Sequence, residues 1–325
     1  MSFISSCNLL VSKTRILICA LICASTQITS ALAQPSGGLA VTFGSQDGAD
    51  KPVILRGALW SPTDTPRGAI VLVHGSGGWS NFREGHYGRA LSAAGYTVLA
   101  IDSFGPRGII QTIEDQSQIS PLQMTRDALA ARRFLIEKGF SADRLAVMGF
   151  SKGGSVALFA ADRNFLPQEA DRFALAIPFY PGCSARPVTP KPASIIFMVI
   201  GEKDNYTTVK PCQDIAADYA QAGDKVTVKL YPDAAHGFDG DPARTGMINL
   251  RFAENYSECV FAIEDDGQLQ YGGKKYGPYE SSIEILRTDL KKTCMKKGAA
   301  VWTNTRQKEI ATNDVIEFLH TNFPK

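Results

Sequence analysis

The segment LAVMGFSKGGSVA, residues 145–157, reads as strand, tight turn and helix in immediate succession. Leu145–Phe150 is an unbroken apolar run of strand length, as a strand covered on both faces requires. The string Gly149-Phe150-Ser151-Lys152-Gly153 matches the G-x-S-x-G elbow, in which small flanking residues let a serine occupy a sharp, strained turn with its hydroxyl exposed. The Ala/Gly-rich run that follows opens a helix over 153–161. The string alone is weak evidence, and its setting between a strand and a helix is what gives it meaning.

The same alternation extends on both sides. Residues 68–73 (GAIVLV), 96–101 (YTVLAI), 174–179 (ALAIPF), 194–200 (SIIFMVI) and 226–231 (VTVKLY) read as further strands, with 53–59 leading in antiparallel. Helices are expected at 85–94, 121–138 and 211–222, each stopped by Gly95, Gly139 or Gly223. Ser120 before Pro121 is an N-cap followed by proline at the first helical position, and Leu122, Leu129 and Phe134 give that helix an inward side. A last helix over 307–322 takes Ile310, Val315, Ile316, Phe318 and Leu319 as its buried stripe. Strands alternating with helices define an α/β protein with a mostly parallel sheet. Residues 240–300, rich in Gly, Lys and Tyr, break the pattern and read as an insertion.

The chain has 325 residues, 44% of them hydrophobic and 20% charged, which is the profile of a globular protein. Its 34 Lys+Arg against 32 Asp+Glu leave no basic excess for a phosphate backbone, so nucleic-acid binding is not expected. Lys13 and Arg15 precede an apolar run over 16–24 and the small-residue pattern Ala31-Leu32-Ala33, the signature of a cleaved signal peptide over 1–33 and of a secreted or periplasmic protein over 34–325. A buried N-terminal helix is the alternative. The run is about half the roughly 20 residues of a membrane span, so no integral membrane segment is expected in the mature chain. Cleavage removes Lys13, Arg15 and no acidic residue. It also removes Cys7, Cys19 and Cys23, leaving Cys183, Cys212, Cys259 and Cys294, an even set suited to two disulfides of three possible connectivities. No pair has the spacing of a zinc knuckle, and no metal or organic cofactor is implied.

A serine hydroxyl needs a base, normally an imidazole oriented by a carboxylate. In the chain order serine, acid, histidine, only His236 and His320 follow late enough. His236, in a loop just past the strand 226–231, is preferred over His320 near the end of the last helix. Asp204 immediately follows the strand 194–200 and is the preferred acid, with Glu202 and Asp233 as rivals. The backbone N–H groups of Lys152 and Ser76 are the expected oxyanion donors, the latter in the loop His74-Gly75-Ser76-Gly77-Gly78.

Taken together, HGSGG (74–78), AIDSFGPRG (100–108), GFSKGG (149–154), FYPGC (179–183), GEKD (201–204) and AAHGFD (234–239) resemble the dienelactone hydrolase-like branch of the α/β-hydrolase superfamily. The resemblance covers about residues 50–240 and the final helix. It implies an α/β-hydrolase fold, Ser151, Asp204 and His236 as nucleophile, acid and base, and a small-molecule ester as substrate. The namesake enzymes carry a cysteine at the nucleophile and a glutamate after the first loop's histidine, where this chain has Ser151 and Gly75. In that fold Cys183 and Cys212 follow neighbouring strands and Cys259 and Cys294 share the insertion, so pairing is expected within each couple, the second closing a self-contained flap. Arg107 is expected to bind an anionic group of the substrate, and Trp79, Phe82 and Phe104 to line an acyl pocket. The reading is a serine hydrolase of carboxylic esters. A serine peptidase or amidase on the same residues, or a binding protein on a hydrolase scaffold, are the alternatives.

Overall fold

A computed structural model describes residues 37–47, 51–168, 171–223, 225–244 and 246–324. The expected signal peptide lies outside them. The central sheet is built from β1 (Leu39–Asp47), β2 (Lys51–Trp60), β3 (Ala69–Val73), β4 (Thr97–Asp102), β5 (Leu145–Phe150), β6 (Leu175–Phe179), β8 (Ile195–Gly201) and β9 (Val226–Tyr231), in the order β1-β2-β4-β3-β5-β6-β8-β9. β1, β2 and β4 pair antiparallel, and all later neighbours pair parallel. The short β7 (Ala185–Pro187) lies outside this sheet. This is the α/β-hydrolase fold.

The unbroken apolar strands follow from burial on both faces. In β3, Val71 and Val73 enter one core with Met124, Val156 and Ile215 from α2 (Pro121–Glu137), α3 (Lys152–Phe159) and α4 (Val209–Gln221). Ile70 and Leu72 enter the opposite core with Tyr87, Leu91, Val315 and Leu319 from α1 (Glu84–Ala93) and α6 (Thr305–Asn322). Alternate side chains of one strand thus serve two layers. The expected cap of α2 is present, with Ser120 Oγ accepting from the Gln123 N–H at 3.1 Å. The expected stripe of α6 is corrected at Ile310, which is exposed, while Ala311 is buried in its place.

β1 escaped the sequence pattern. Its Ser45 hydroxyl donates to Asp127 Oδ1 of α2 at 2.8 Å. Arg107 grips the same carboxylate with Nη1 and Nη2 at 2.8 and 2.9 Å and also donates to the Ser103 carbonyl. An ion pair with a fully buried carboxylate therefore ties β1, α2 and the loop after β4 together.

Residues 240–300 are regular structure, against the expectation from their composition. β10 (Met247–Asn255) pairs antiparallel with β14 (Lys296–Trp302). β11 (Phe261–Ile263), β12 (Gln268–Tyr271) and β13 (Lys274–Pro278) form a second small sheet, and α5 (Tyr279–Thr293) follows. The buried Tyr279, Ile283, Leu286 and Leu290 are spaced four, three and four apart, a helical stripe diluted by the intervening charges. The insertion is not self-contained, because β11 pairs parallel with β7 of the main body. The sulfurs of Cys183 and Cys212, and of Cys259 and Cys294, lie at bonding distance, 2.05 and 2.10 Å. Among the described residues no helix is long and apolar enough to cross a membrane.

Asp127→Ala strands a buried guanidinium, and loss of one partner of such a pair costs about 3–5 kcal/mol. Urea denaturation should record a fall of that size, with Ser45→Ala losing far less.

Candidate active site

The chain enters the turn after β5 with Ser151 at φ 55° and ψ −114°, in the left-handed half of the map, where a residue with a Cβ is strained. The two glycines around it are required by contact. A Cβ on Gly149 would lie 2.0 Å from the Gly153 carbonyl oxygen, and one on Gly153 would lie 2.2 Å from that of Val73. No side chain fits, so the first turn of α3 packs directly on β3 and β5. The Ser151 N–H is secured on the Phe179 carbonyl at 3.0 Å.

Three strands deliver the groups that meet there. His236 Nε2 is 2.9 Å from Ser151 Oγ, and His236 Nδ1 is 2.8 Å from Asp204 Oδ2. Asp204 Oδ1 accepts from the N–H groups of Tyr206 and Thr207, both at 2.8 Å, so the carboxylate is fixed by its own loop. Asp204 and His236 are both 5% exposed. The two ring nitrogens of His236 thus face different partners, Nδ1 the carboxylate and Nε2 the serine hydroxyl. The rival acids are elsewhere: Asp233 pairs with Lys203 at 2.5 Å, and Glu202 is exposed. His320 contacts the Ala94 carbonyl at 3.2 Å.

The loop carrying His236 is held from several sides. The Lys203 N–H donates to the Ala234 carbonyl at 2.9 Å, and the Trp302 N–H of β14 to the His236 carbonyl at 3.3 Å. The rings of Tyr180 and Tyr206 stand edge-on to the imidazole, each with its centroid 4.8 Å away. Thr207 Oγ1 lies 3.0 Å from Asp204 Oδ2, 3.1 Å from His236 Nδ1 and 3.0 Å from the Tyr180 carbonyl. Tyr180, Tyr206 and Thr207 were missed by sequence reasoning. Their only signal is position, each lying just beyond a strand end at the carboxyl edge of the sheet, where open α/β sheets place their sites.

Ser76, Ser151 and Lys152 line one cavity. The loop of Ser76 is anchored by the buried, neutral His74, whose Nδ1–H donates to the Gly75 carbonyl at 2.9 Å while Nε2 accepts from the Ser103 N–H at 3.2 Å. Burial holds His74 below the usual imidazole range. Lys152 turns its side chain away from the turn, donating to the carbonyls of Ile119 at 2.9 Å and Gln116 at 3.3 Å. Its burial lowers the ammonium well below the usual lysine range.

None of Trp79, Phe82, Phe104 and Arg107 lines that cavity. Trp79 stacks on Trp60, Phe82 is exposed, and Phe104 is buried edge-on against His74. Arg107 is committed to Asp127, so its guanidinium serves the fold instead of a substrate anion. A loop position near the sheet edge drew all four into the expectation, but their side chains turn into the core or out to solvent.

Ser151, His236 and Asp204 thus meet at the carboxyl ends of the strands of an α/β-hydrolase fold, and the family to which the chain belongs is one of hydrolases acting on carboxylic esters. The model of the dienelactone hydrolase family matches residues 55–258, and the chain belongs to that family. No curated protein matches it in sequence. Solved structures are similar at low identity. A dienelactone hydrolase-like protein of Klebsiella pneumoniae is 18% identical, with 62% of this chain and 88% of that chain covered and a TM-score of 0.47. The propionate-bound thermophilic esterase Est2 of Thermogutta terrifontis is 18% identical, covering 63% and 86%, with a TM-score of 0.47. Its butyrate-bound form gives 15% identity, 80% and 96% coverage and a TM-score of 0.48.

Behind the histidine loop, Glu84 is fully buried, with Oε2 accepting from the Ser80 N–H at 2.7 Å. The adjacent Arg83 donates through Nε to Asp239 Oδ1 at 3.2 Å. Burial pushes the Glu84 carboxyl up from 4.5 to about 7 against the opposing pull of Arg83. The folded protein therefore holds this proton more tightly than the unfolded chain. The contribution is full below the unfolded value and is lost as pH rises through the folded one, a fall of up to about 3 kcal/mol. Urea melts between pH 4.5 and 8 should record this decline in the wild type and a flatter profile in Glu84→Gln.

Proposed function

We propose that this protein hydrolyses a small carboxylic ester through a covalent acyl-enzyme on Ser151, with His236 as general base and acid and Asp204 orienting it. The observation that carries the reading is His236 bridging Ser151 Oγ at 2.9 Å and Asp204 Oδ2 at 2.8 Å from a 5% exposed position. Ser151 Oγ attacks the ester carbonyl carbon as Nε2 takes its proton, and Asp204 stabilises the imidazolium that forms. The negative charge developing on the carbonyl oxygen is received by the backbone N–H groups of Ser76 and Lys152, the latter at the start of α3. Collapse of the tetrahedral intermediate breaks the bond to the alcohol oxygen, which leaves with the proton from Nε2. A water that gives its proton to the same nitrogen then attacks the acyl carbon. Collapse of this second intermediate breaks the acyl–Oγ bond, with Nε2 returning the proton to Ser151 Oγ as the carboxylic acid is released.

We assign the mature protein, residues 34–325, to the periplasm or the extracellular space. Supporting this are the leader-like residues 1–33 and two cysteine pairs at bonding distance, which persist in oxidising compartments.

The test uses the purified protein, a fluorophosphonate and p-nitrophenyl esters. Wild type should gain one stoichiometric adduct by intact mass, and Ser151→Ala none, with kcat reduced on the order of 10⁴-fold or more. Asp204→Asn should keep KM and lose roughly 10³–10⁴ in kcat, because the imidazole loses its orienting charge. Wild-type turnover by Ser151→Ala would refute the assignment.

A further inference from the structure

The cavity beside Ser151 has walls from two sources. Phe159 comes from α3, while Phe261, Tyr279, Ile283 and Leu290 come from the inserted segment, and all five are buried. His236 is not part of its lining, whereas the two oxyanion donors are. This asymmetry orients an ester in the site. The leaving alcohol oxygen must lie where the imidazole can give it a proton, on the His236 side. The group that stays on Ser151 is then the one that points into the cavity.

The charged residues of the wall are committed to protein partners. Lys152 is satisfied by two carbonyls, Glu254 binds Lys291 at 2.8 Å and the Gln116 N–H at 3.0 Å, and Arg287 pairs with Glu284. What remains for a ligand is mostly apolar surface, interrupted by uncharged side chains such as Ser155, Ser184, Thr208 and Ser257. The cavity volume is about 140 Å³. An apolar cavity of about 150 Å³ lined by Leu, Ile and Phe is filled by one benzene molecule. The lining residues Phe159, Phe261, Tyr279, Ile283 and Leu290 belong to one buried cluster with Phe165, Leu269 and Leu286, so a longer chain would have to displace packed side chains.

We infer that the inserted segment builds the acyl pocket, and that the substrate is an ester of a compact apolar carboxylic acid, no larger than one aromatic ring or a short aliphatic chain. The inference rests on the ester-hydrolase reading above and adds the substrate class and the residues that set it. Ile283 and Leu290 of α5, with Phe159 of α3, are apolar side chains of the pocket wall that would meet the acyl group.

The experiment compares p-nitrophenyl acetate, butyrate, hexanoate, benzoate and decanoate, which share one leaving group, on the full mature protein and on Ile283→Ala and Ile283→Trp. Fluorophosphonate labelling by intact mass is run on all three. Mismatch in an apolar pocket is worth roughly tenfold or more per step. Wild type should therefore prefer butyrate, hexanoate or benzoate and lose at least about tenfold in kcat/KM at decanoate. Ile283→Ala should shift the optimum toward decanoate, and Ile283→Trp should lose benzoate about tenfold more than acetate. A wild type that labels on Ser151 yet is indifferent to acyl length overturns the inference and leaves the nucleophile standing. Two labelled variants that both keep the wild-type acyl profile overturn it in the same way. Absence of labelling in the wild type overturns the nucleophile, and the inference with it.

Discussion

The turn at Ser151 constrains everything around it. A residue with a side chain at φ 55° carries a cost of about 1–3 kcal/mol that only a rigid surrounding can hold. That rigidity comes from the direct contact of α3 with β3 and β5, possible because Gly149 and Gly153 have no Cβ to intervene. The contact does three things at once. It lifts the serine hydroxyl clear of the sheet, it puts the Lys152 N–H at the start of a helix, and it brings that helix beside the loop of Ser76. Fully buried parallel strands on both sides of β5 keep the turn from relaxing.

Around this turn the site is assembled by loops whose backbones lie in direct contact. Gly201 ends β8 so close to the loop after β9 that a Cβ would lie 2.3 Å from the Ala234 carbonyl oxygen. Asp204 and His236 are therefore brought together by two loops in direct contact. The inserted segment joins the same structure from the other side, since β14 bridges His236 through Val301 and the insertion walls the cavity beside Ser151. One element thus steadies the imidazole and shapes the space for the substrate. Its attachment through β7 and β11, with a cysteine pair at bonding distance across it, fits that double role.

The fold was legible because its signals are local. An apolar run, a glycine stop or an N-cap serine each reports on a few residues, and the buried parallel strands leave no ambiguity of face. Ser151, Asp204 and His236 were legible as candidates through motif and chain order, and the structure brings these three together. Thr207 was not, because a threonine after a strand has no local mark of standing within hydrogen-bond distance of both an imidazole and a carboxylate. Arg107 misled for the same reason in reverse. Its sequence neighbourhood is a loop at the site edge, yet its partner Asp127 lies on α2 and cannot be seen from that loop. The stripe of α5 was hidden by charges that share the helix with it.

By itself, then, the sequence determined the order of strands and helices from β2 to β9, apart from the short β7, together with the last helix, the strained serine turn and the types of residue available for chemistry, since each depends on residues adjacent in the chain. The tertiary structure decided which carboxylate faces the histidine and which arginine is spent on the core. It also decided which side chains wall the cavity. These depend on distances between strands and loops far apart in sequence, set by packing against both faces of the sheet, and no short stretch of chain carries that information.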